Sequence, residues 1–592
     1  MKTIPTFALA SLLTAGAAAQ PLPESSPWPD ERSVAILEAT REIRLAPDLT
    51  HLRPGERIAL ARLLEVGGIM QDLYEDQKHP EALDTKLRLE ARAGTPEIDR
   101  LRTLYRLFSG PIAITLDNRR EPFWPVADVQ PGKNVYPWGT RRGDLETFLE
   151  ANPGSAGSLL DLRAVVRRAD DASIRRDLEA LRRHPALATL HPGLQQGVKS
   201  LTMRRDGSTF YAVPYSVAWS DALIRAHDLL REAAIAVAPE DEDFAQFLEN
   251  RARDLLSDDY ESGDAAWVTG QFHNLNAQIG SYEVYDDELM GVKTFFSASI
   301  LVRNREASEQ LRKAIAGLQE LEDSLPYEHH KKVRDDIPVG IYDVIADFGQ
   351  ARGINTATIL PNESHLARKY GRTILLRGNI MRHPELFGGS AEAWKAAMAE
   401  PFEDDLAPDG NFHRTLWHEI GHYLGVSRDR RGRELEIALQ DSSSTFEEMK
   451  ADLVSLYLAP ALRERGHYDD AQLRSVYASG IRRVLQNNRP RPDQPYQTMQ
   501  LMQWNWFLDR GLLTFDRESG ELSIDYSRYH DAVASLLREV LGIQWSGDKA
   551  AADRFIAAHT SWRDDLHEVI ARRIRDAQRY RYTLVRYAAL GE

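Results

Sequence analysis

Residues 416–425 read LWHEIGHYLG, and everything turns on whether His418 and His422 ligate one metal ion or simply stand four apart. On a helix advancing about 100° per residue, the two lie about 40° apart and one turn above each other. Both imidazoles can therefore reach a single ion. Glu419 is turned about 100° from His418, close to such an ion without being obliged to bind it. That is where a general base for a metal-activated water belongs. The preceding APDGN (407–411) reads as a polar loop suited to capping the helix start, and Gly425 as its end. The plain alternative is an ordinary helix with two satisfied histidines.

A catalytic zinc would need a third protein ligand and one open position. Downstream, STFEEMKADLVSLYLAP (444–460) has the apolar spacing of a second helix from Phe446 to Leu458. Glu448 and Asp452 share one face of it, and Glu447 points about 100° away from Glu448. One carboxylate can bind the ion while its neighbours accept the free imidazole N–H groups, fixing tautomer and basicity. A helix N-terminus that favours acidic residues would explain their presence but not their position one helix after the histidine pair.

The 592 residues are 43% hydrophobic and 28% charged, ample material for a large globular core. A formal net charge of −15 argues against nucleic acid or an anionic membrane as partner. The local basic run RDRRGR (428–433) reads as a solvated face. Residues 1–19 have a basic start at Lys2, a short apolar run (7–19) and a small-residue site at Ala17-Ala18-Ala19. That is the pattern of a secretory signal peptide and implies export, to a periplasm or the medium, with no membrane anchor after cleavage. The absence of cysteine excludes disulfides and thiolate metal sites.

Along the chain, residues 32–108 are mostly helical in spacing, with RIALARLLEVGGIMQDLYED (57–76) a clear amphipathic run. TFYAVPYSVAW (209–219) and the start of IGSYEVYDDELMGVKTFFSASILVRN (279–304) read as strands, with a helix near DALIRAHDLLREAAIAVA (221–238). Helical spacing dominates beyond about Leu301, interrupted by GINTATILPNE (353–363) and RTILLRGNI (372–380). The expectation is a mixed first half, a largely helical second half, and function in a cleft between them.

HEIGH followed by FEEMKADLVSLYL resembles the zinc motifs of the dipeptidyl peptidase III family. FYAVPYSVAWSDAL, IGSYEVYDDELMGVKTFF and ILPN resemble the same family and its plant relatives fused to a Nudix domain. These matches run from about Phe210 to Leu458. The Nudix catalytic box is absent, so phosphate-anhydride hydrolysis is not implied. The resemblance implies an α+β fold of two lobes separated by a wide cleft that closes on substrate. One lobe would be mostly helical and zinc-bearing, and the other mixed with a β-barrel-like core. The boundaries that follow are 20–300 for the mixed lobe and 301–592 for the helical lobe, with part of 333–380 returning to the first.

The resemblance also implies roles. His418, His422 and Glu448 would hold one zinc ion per chain, with Glu447 and Asp452 as their supports. Glu419 would be the general base for the water that attacks the peptide carbonyl. Tyr285 would steady the oxyanion, Glu283 would hold the free amino terminus of an oligopeptide, and Asn362 would bind its backbone. The activity implied is release of dipeptides from that terminus. A zinc endopeptidase or aminopeptidase of related geometry and a low-turnover peptide-binding protein are the alternatives; the presence of Glu419 favours an enzyme. Three departures stand out. Three residues separate the histidines where the eukaryotic enzymes have four. The segment 489–511 lacks the family's later histidine, with Gln500 the candidate for its place. Ile359 stands where a second asparagine is common.

Overall fold

The computed structural model describes residues 26–203, 207–333, 339–361, 363–371, 373–490 and 495–592. The signal segment 1–19 and Asn362 fall outside these residues. Buried apolar side chains gather into two large cores. The first draws on Ile43 to Ile380 and adds Val585 and Tyr587; the second draws on Ala307 to Ile574.

The first core surrounds a five-stranded sheet: β1 (Leu275–Ser281), β2 (Phe296–Arg303), β3 (Val339–Gly349), β4 (Ala357–Leu360) and β5 (Thr373–Arg377). Its spatial order is β1-β2-β3-β5-β4. The β1/β2, β2/β3 and β5/β4 pairs are antiparallel and β3/β5 is parallel, with a register break at Ile300/Leu301. β1 is buried at every position and β3 at most, so these strands lack the polar alternation of a half-exposed sheet. Among the described residues the barrel-like core implied by the resemblance is not present. A barrel requires its first and last strands to pair, whereas β1 and β4 end the sheet and do not meet.

Helix α1 (Pro54–Lys78) covers β2 and β3, and α2 (Ser220–Val237) packs on α1. The approach of α1 depends on Gly67, where a Cβ would sit 2.2 Å from a ring carbon of Phe348. The start of the segment 279–304 lies in a strand, as its residues suggest. β1 stops at Ser281, and residues 282–295 form a loop tied by Asp287. Its carboxylate accepts backbone N–H groups from Leu289, Met290, Val292 and Lys293 at 2.8–3.1 Å and the hydroxyl of Tyr136 at 2.9 Å. Glu283 and Tyr285 therefore stand on a loop rather than on one face of a strand.

The second core is built from α3 (Pro408–Gly421), α4 (Ser443–Tyr457), α5 (Asp470–Val484), α6 (Pro495–Asp509) and α7 (Tyr529–Ser546). α3 lies against both α4 and α5, and α4 also touches α6 and α7. Close crossing is set by two glycines. A Cβ on Gly410 would meet Ser475 Oγ at 2.0 Å, and one on Gly421 would meet the Ala451 carbonyl at 2.9 Å. Residues 408–411 are the first turn of α3, with Pro408 at its first position, instead of a loop before it. The helix ends at Gly421, earlier than Gly425, which takes a left-handed turn (φ +75°). Trp504 and Trp506 of α6 are buried in this core.

The chain returns to the first core at its last strand, Tyr582–Tyr587, which pairs in parallel with Thr40–Leu45. Replacing Gly67 by valine should force the Phe348 ring out of its place and destabilise the fold by roughly 1–3 kcal/mol. Denaturant unfolding monitored at the first core would register this as a lowered midpoint.

Candidate metal centre

α3 and α4 bring three ligand atoms together. The Nε2 atoms of His418 and His422 lie 3.3 and 3.9 Å from Glu448 Oε2. All three ligand atoms fall within 4.8 Å of one another, a spacing that could hold a metal ion. His418 is the fourth residue from the end of α3, and His422 follows its last residue while keeping helical dihedrals (φ −64°, ψ −26°). The one-turn stacking expected of the pair is thus kept although the regular helix has stopped.

The other ring nitrogens face carboxylates. His418 Nδ1 lies 2.7 Å from Asp452 Oδ1, and His422 Nδ1 lies 3.1 Å from Glu447 Oε1. With the Nδ1 side of each ring turned to a carboxylate, both Nε2 atoms face Glu448. Glu448 Oε2 is buried and has no hydrogen-bond partner of its own. Three electron-rich atoms aimed at one point fit a cation, and the two-histidine, one-carboxylate set suits zinc. Burial alone would depress His418, but Asp452, then Glu448 and Glu419, raise it to about 9.

The supports are themselves held. Asp452, 2% exposed, accepts from Arg414 Nη1 at 2.9 Å and lies 3.5 Å from Arg483 Nε. Against the cost of burial, Arg483, His418 and Arg414 keep its carboxyl far below the usual range. Glu447 accepts from Lys450 Nζ at 2.7 Å and from Gln544 Nε2 at 3.3 Å. Burial opposes its ionisation, yet Lys450 and His422 bring its carboxyl down to about 2.

A cavity of about 460 Å³ joins this centre to the sheet. Glu283, Tyr285, His418, Glu419, His422 and Glu448 all line it, so residues of the loop after β1 and of the helices α3 and α4 share one space. Tyr285 is 78% exposed. Desolvation, then the neighbouring Glu283 carboxylate, holds its hydroxyl above the ordinary phenol range. Glu419 is nearly buried beside His418. Asn362 lies outside the described residues. Gln500 does not line the cavity; its side chain bonds Gln486.

Three contributors were missed in the sequence. Tyr496, at the start of α6, donates to Glu448 Oε1 at 3.0 Å and lines the cavity. Arg414 precedes His418 by one helical turn, so its position on the same face was readable. Arg377 lies under the cavity, 2% exposed and paired with buried Asp347 at 2.9 Å. Nothing in its local sequence announces that pairing across β3 and β5.

No family model matches the chain. A curated relative, "Nudix hydrolase 3" of Arabidopsis thaliana, is 24% identical over 564 residues, spanning 88% of this chain and 70% of the relative. The solved structure of dipeptidyl peptidase III from Caldithrix abyssi superposes with a TM-score of 0.78 at 22% identity, covering 94% of this chain and 99% of that one. That of dipeptidyl-peptidase III from Corallococcus sp. strain EGB gives 0.69 at 25% identity, covering 95% and 98%. The resemblance first carried by short motifs extends to the fold of nearly the whole chain.

Asp452→Asn keeps the shape of the side chain but removes the charge that orients His418. Its zinc affinity should fall by about 10- to 100-fold in a chelator competition titration.

Proposed function

We propose that this chain is a zinc metallopeptidase that releases dipeptides from the free amino terminus of oligopeptides. One observation carries the reading: a candidate base, a candidate amine anchor and a candidate oxyanion donor share a cavity with the His418–His422–Glu448 triad. Both dipeptidyl peptidase III structures that share the fold support the peptide class.

His418, His422 and Glu448 would hold the zinc ion. When bound, zinc supplies Lewis-acid polarisation of the scissile carbonyl and an acidified water. Glu419 Oε accepts the proton released as water attacks and hands it to the departing amine. The Tyr285 hydroxyl stays protonated and donates to the oxygen that gains charge, a stabilisation commonly worth about 3 kcal/mol. The Glu283 carboxylate pairs with the substrate ammonium. A charged anchor at a fixed remove from the triad sets how many residues lie ahead of the cleaved bond.

Mass spectrometry of a six-residue peptide incubated with zinc-loaded protein tests this. Loss of two residues is expected from the free peptide and not from its N-acetylated twin. Glu419→Gln should reduce the rate by about 10²- to 10⁴-fold. Internal cleavage of both peptides would point to an endopeptidase, and release of single residues to an aminopeptidase; either result overturns the anchor at Glu283.

Export is the further part of the proposal, supported by the pattern of residues 1–19. Protein recovered from the periplasm or medium of an expressing bacterium should begin at Gln20 by N-terminal sequencing. An intact Met1 on exported protein would sink it.

A further inference from the structure

A second cavity, about 540 Å³, also opens onto Glu419. It shares Ala357, His418, Glu419 and Tyr496 with the first but touches neither Glu283 nor Tyr285. Its charged walls are inverted relative to the chain as a whole. Arg414, Arg482 and Arg483 face it against the single carboxylate of Glu419, in a protein of net charge −15. Ile380, Met381, Leu386, Phe387 and Leu406 supply an apolar side suited to peptide side chains.

The three arginines are not equivalent. Arg414 and Arg483 both reach Asp452 and so belong to the support of His418. Arg482 is the next residue on α5 but points elsewhere, about 100° around the helix. Among the described residues it has no carboxylate partner. Its Nε is buried without a hydrogen-bond acceptor, and its Nη1 reaches only the Leu485 carbonyl, at 3.5 Å. Burial alone, with no offsetting anion, pulls its guanidinium down to about 10. A half-buried guanidinium whose Nε has no acceptor is left with donors to fill, and a planar fork of donors is the natural receptor for a carboxylate.

Because Glu283 lines only the first cavity and Glu419 lines both, a peptide with its amine at Glu283 and its scissile carbonyl at the triad would continue past Glu419 into this second cavity. We infer that the cavity receives the departing part of the peptide and that Arg482 binds a carboxylate carried by it. The inference rests on the peptidase reading for the direction of the chain. The carboxylate is either the free C-terminus of a short peptide or an acidic side chain downstream of the cleaved bond. The substrate class is then short or acidic oligopeptides, in keeping with a site that is basic inside an acidic protein.

The test measures kcat/KM for peptides of four to six residues in matched pairs. One pair is a free acid and its C-terminal amide; another is an amide bearing Glu or Gln downstream of the cleaved bond. Wild type, Arg482→Gln and Arg482→Lys are compared. Calorimetric binding of the same peptides to zinc-loaded Glu419→Gln, with and without Arg482→Gln, runs alongside. At one length or position the carboxylate-bearing member should be preferred by about tenfold or more, as a charge-assisted pair implies. Arg482→Gln should bring that ratio close to one and Arg482→Lys should partly restore it. Because each ratio is taken within one variant, a partly unfolded preparation cannot mimic the effect. Preference for acid over amide identifies the C-terminus as the source, and Glu over Gln a side chain. Equal kcat/KM within every wild-type pair, or a preference that survives Arg482→Gln, overturns the inference. If no peptide is cut, the peptidase reading fails and binding decides. Tighter binding of the acids, lost on adding Arg482→Gln, sustains the carboxylate site; equal binding removes it.

Discussion

A single buried carboxylate organises the helical core that carries the candidate metal centre. Asp452 projects from α4, meets His418 and Arg414 from α3, and lies near Arg483 from α5. A charge so deeply buried is tolerable only when surrounded by opposite charge and donors. The requirement fixes how the three helices cross. It also settles which nitrogen of His418 faces inward, and it places Glu448, one turn earlier on α4, opposite both histidines. Gly421 permits the crossing by bringing α3 onto the Ala451 backbone. The candidate metal site and the helix packing are here one problem with one solution.

The sheet solves a different problem, that of presenting short polar segments against a helical wall. Asp287 gathers four backbone N–H groups and a tyrosine hydroxyl, and so holds the loop that carries Glu283 and Tyr285. Arg377 and Asp347 form a charged pair beneath the same space. Both are buried polar devices, and Asp287, with both carboxylate oxygens engaged, favours a fixed backbone for the loop that carries Glu283 and Tyr285.

Local spacing made part of this legible. A histidine pair one turn apart, followed by a helix with acidic residues on successive faces, specifies its own geometry because helical rise and twist are invariant. Two strands of the first half were readable from their β-branched and aromatic residues. Their order, and the openness of the sheet, depend on which edges meet across long stretches of chain, and no local pattern encodes that. The alternating residues of YEVY suggested a continued strand, but Asp287 competes for the backbone and ends it. Tyr496 was hidden for a similar reason. Its contact with Glu448 arises from the packing of α6 on α4, whereas Gln500, picked by position in the sequence, lies one turn further along and turns to Gln486.

The parallel pairing of Thr40–Leu45 with Tyr582–Tyr587 bears on how the molecule assembles. It is reinforced by Arg586, which reaches Glu42 from 544 positions away in sequence, and it seats Val585 and Tyr587 in the first core. Bringing together segments so distant in sequence carries a loop-closure cost that contacts closer in sequence avoid. Once formed, the pairing makes the two ends one cooperative unit, so that fraying at either exposes the other.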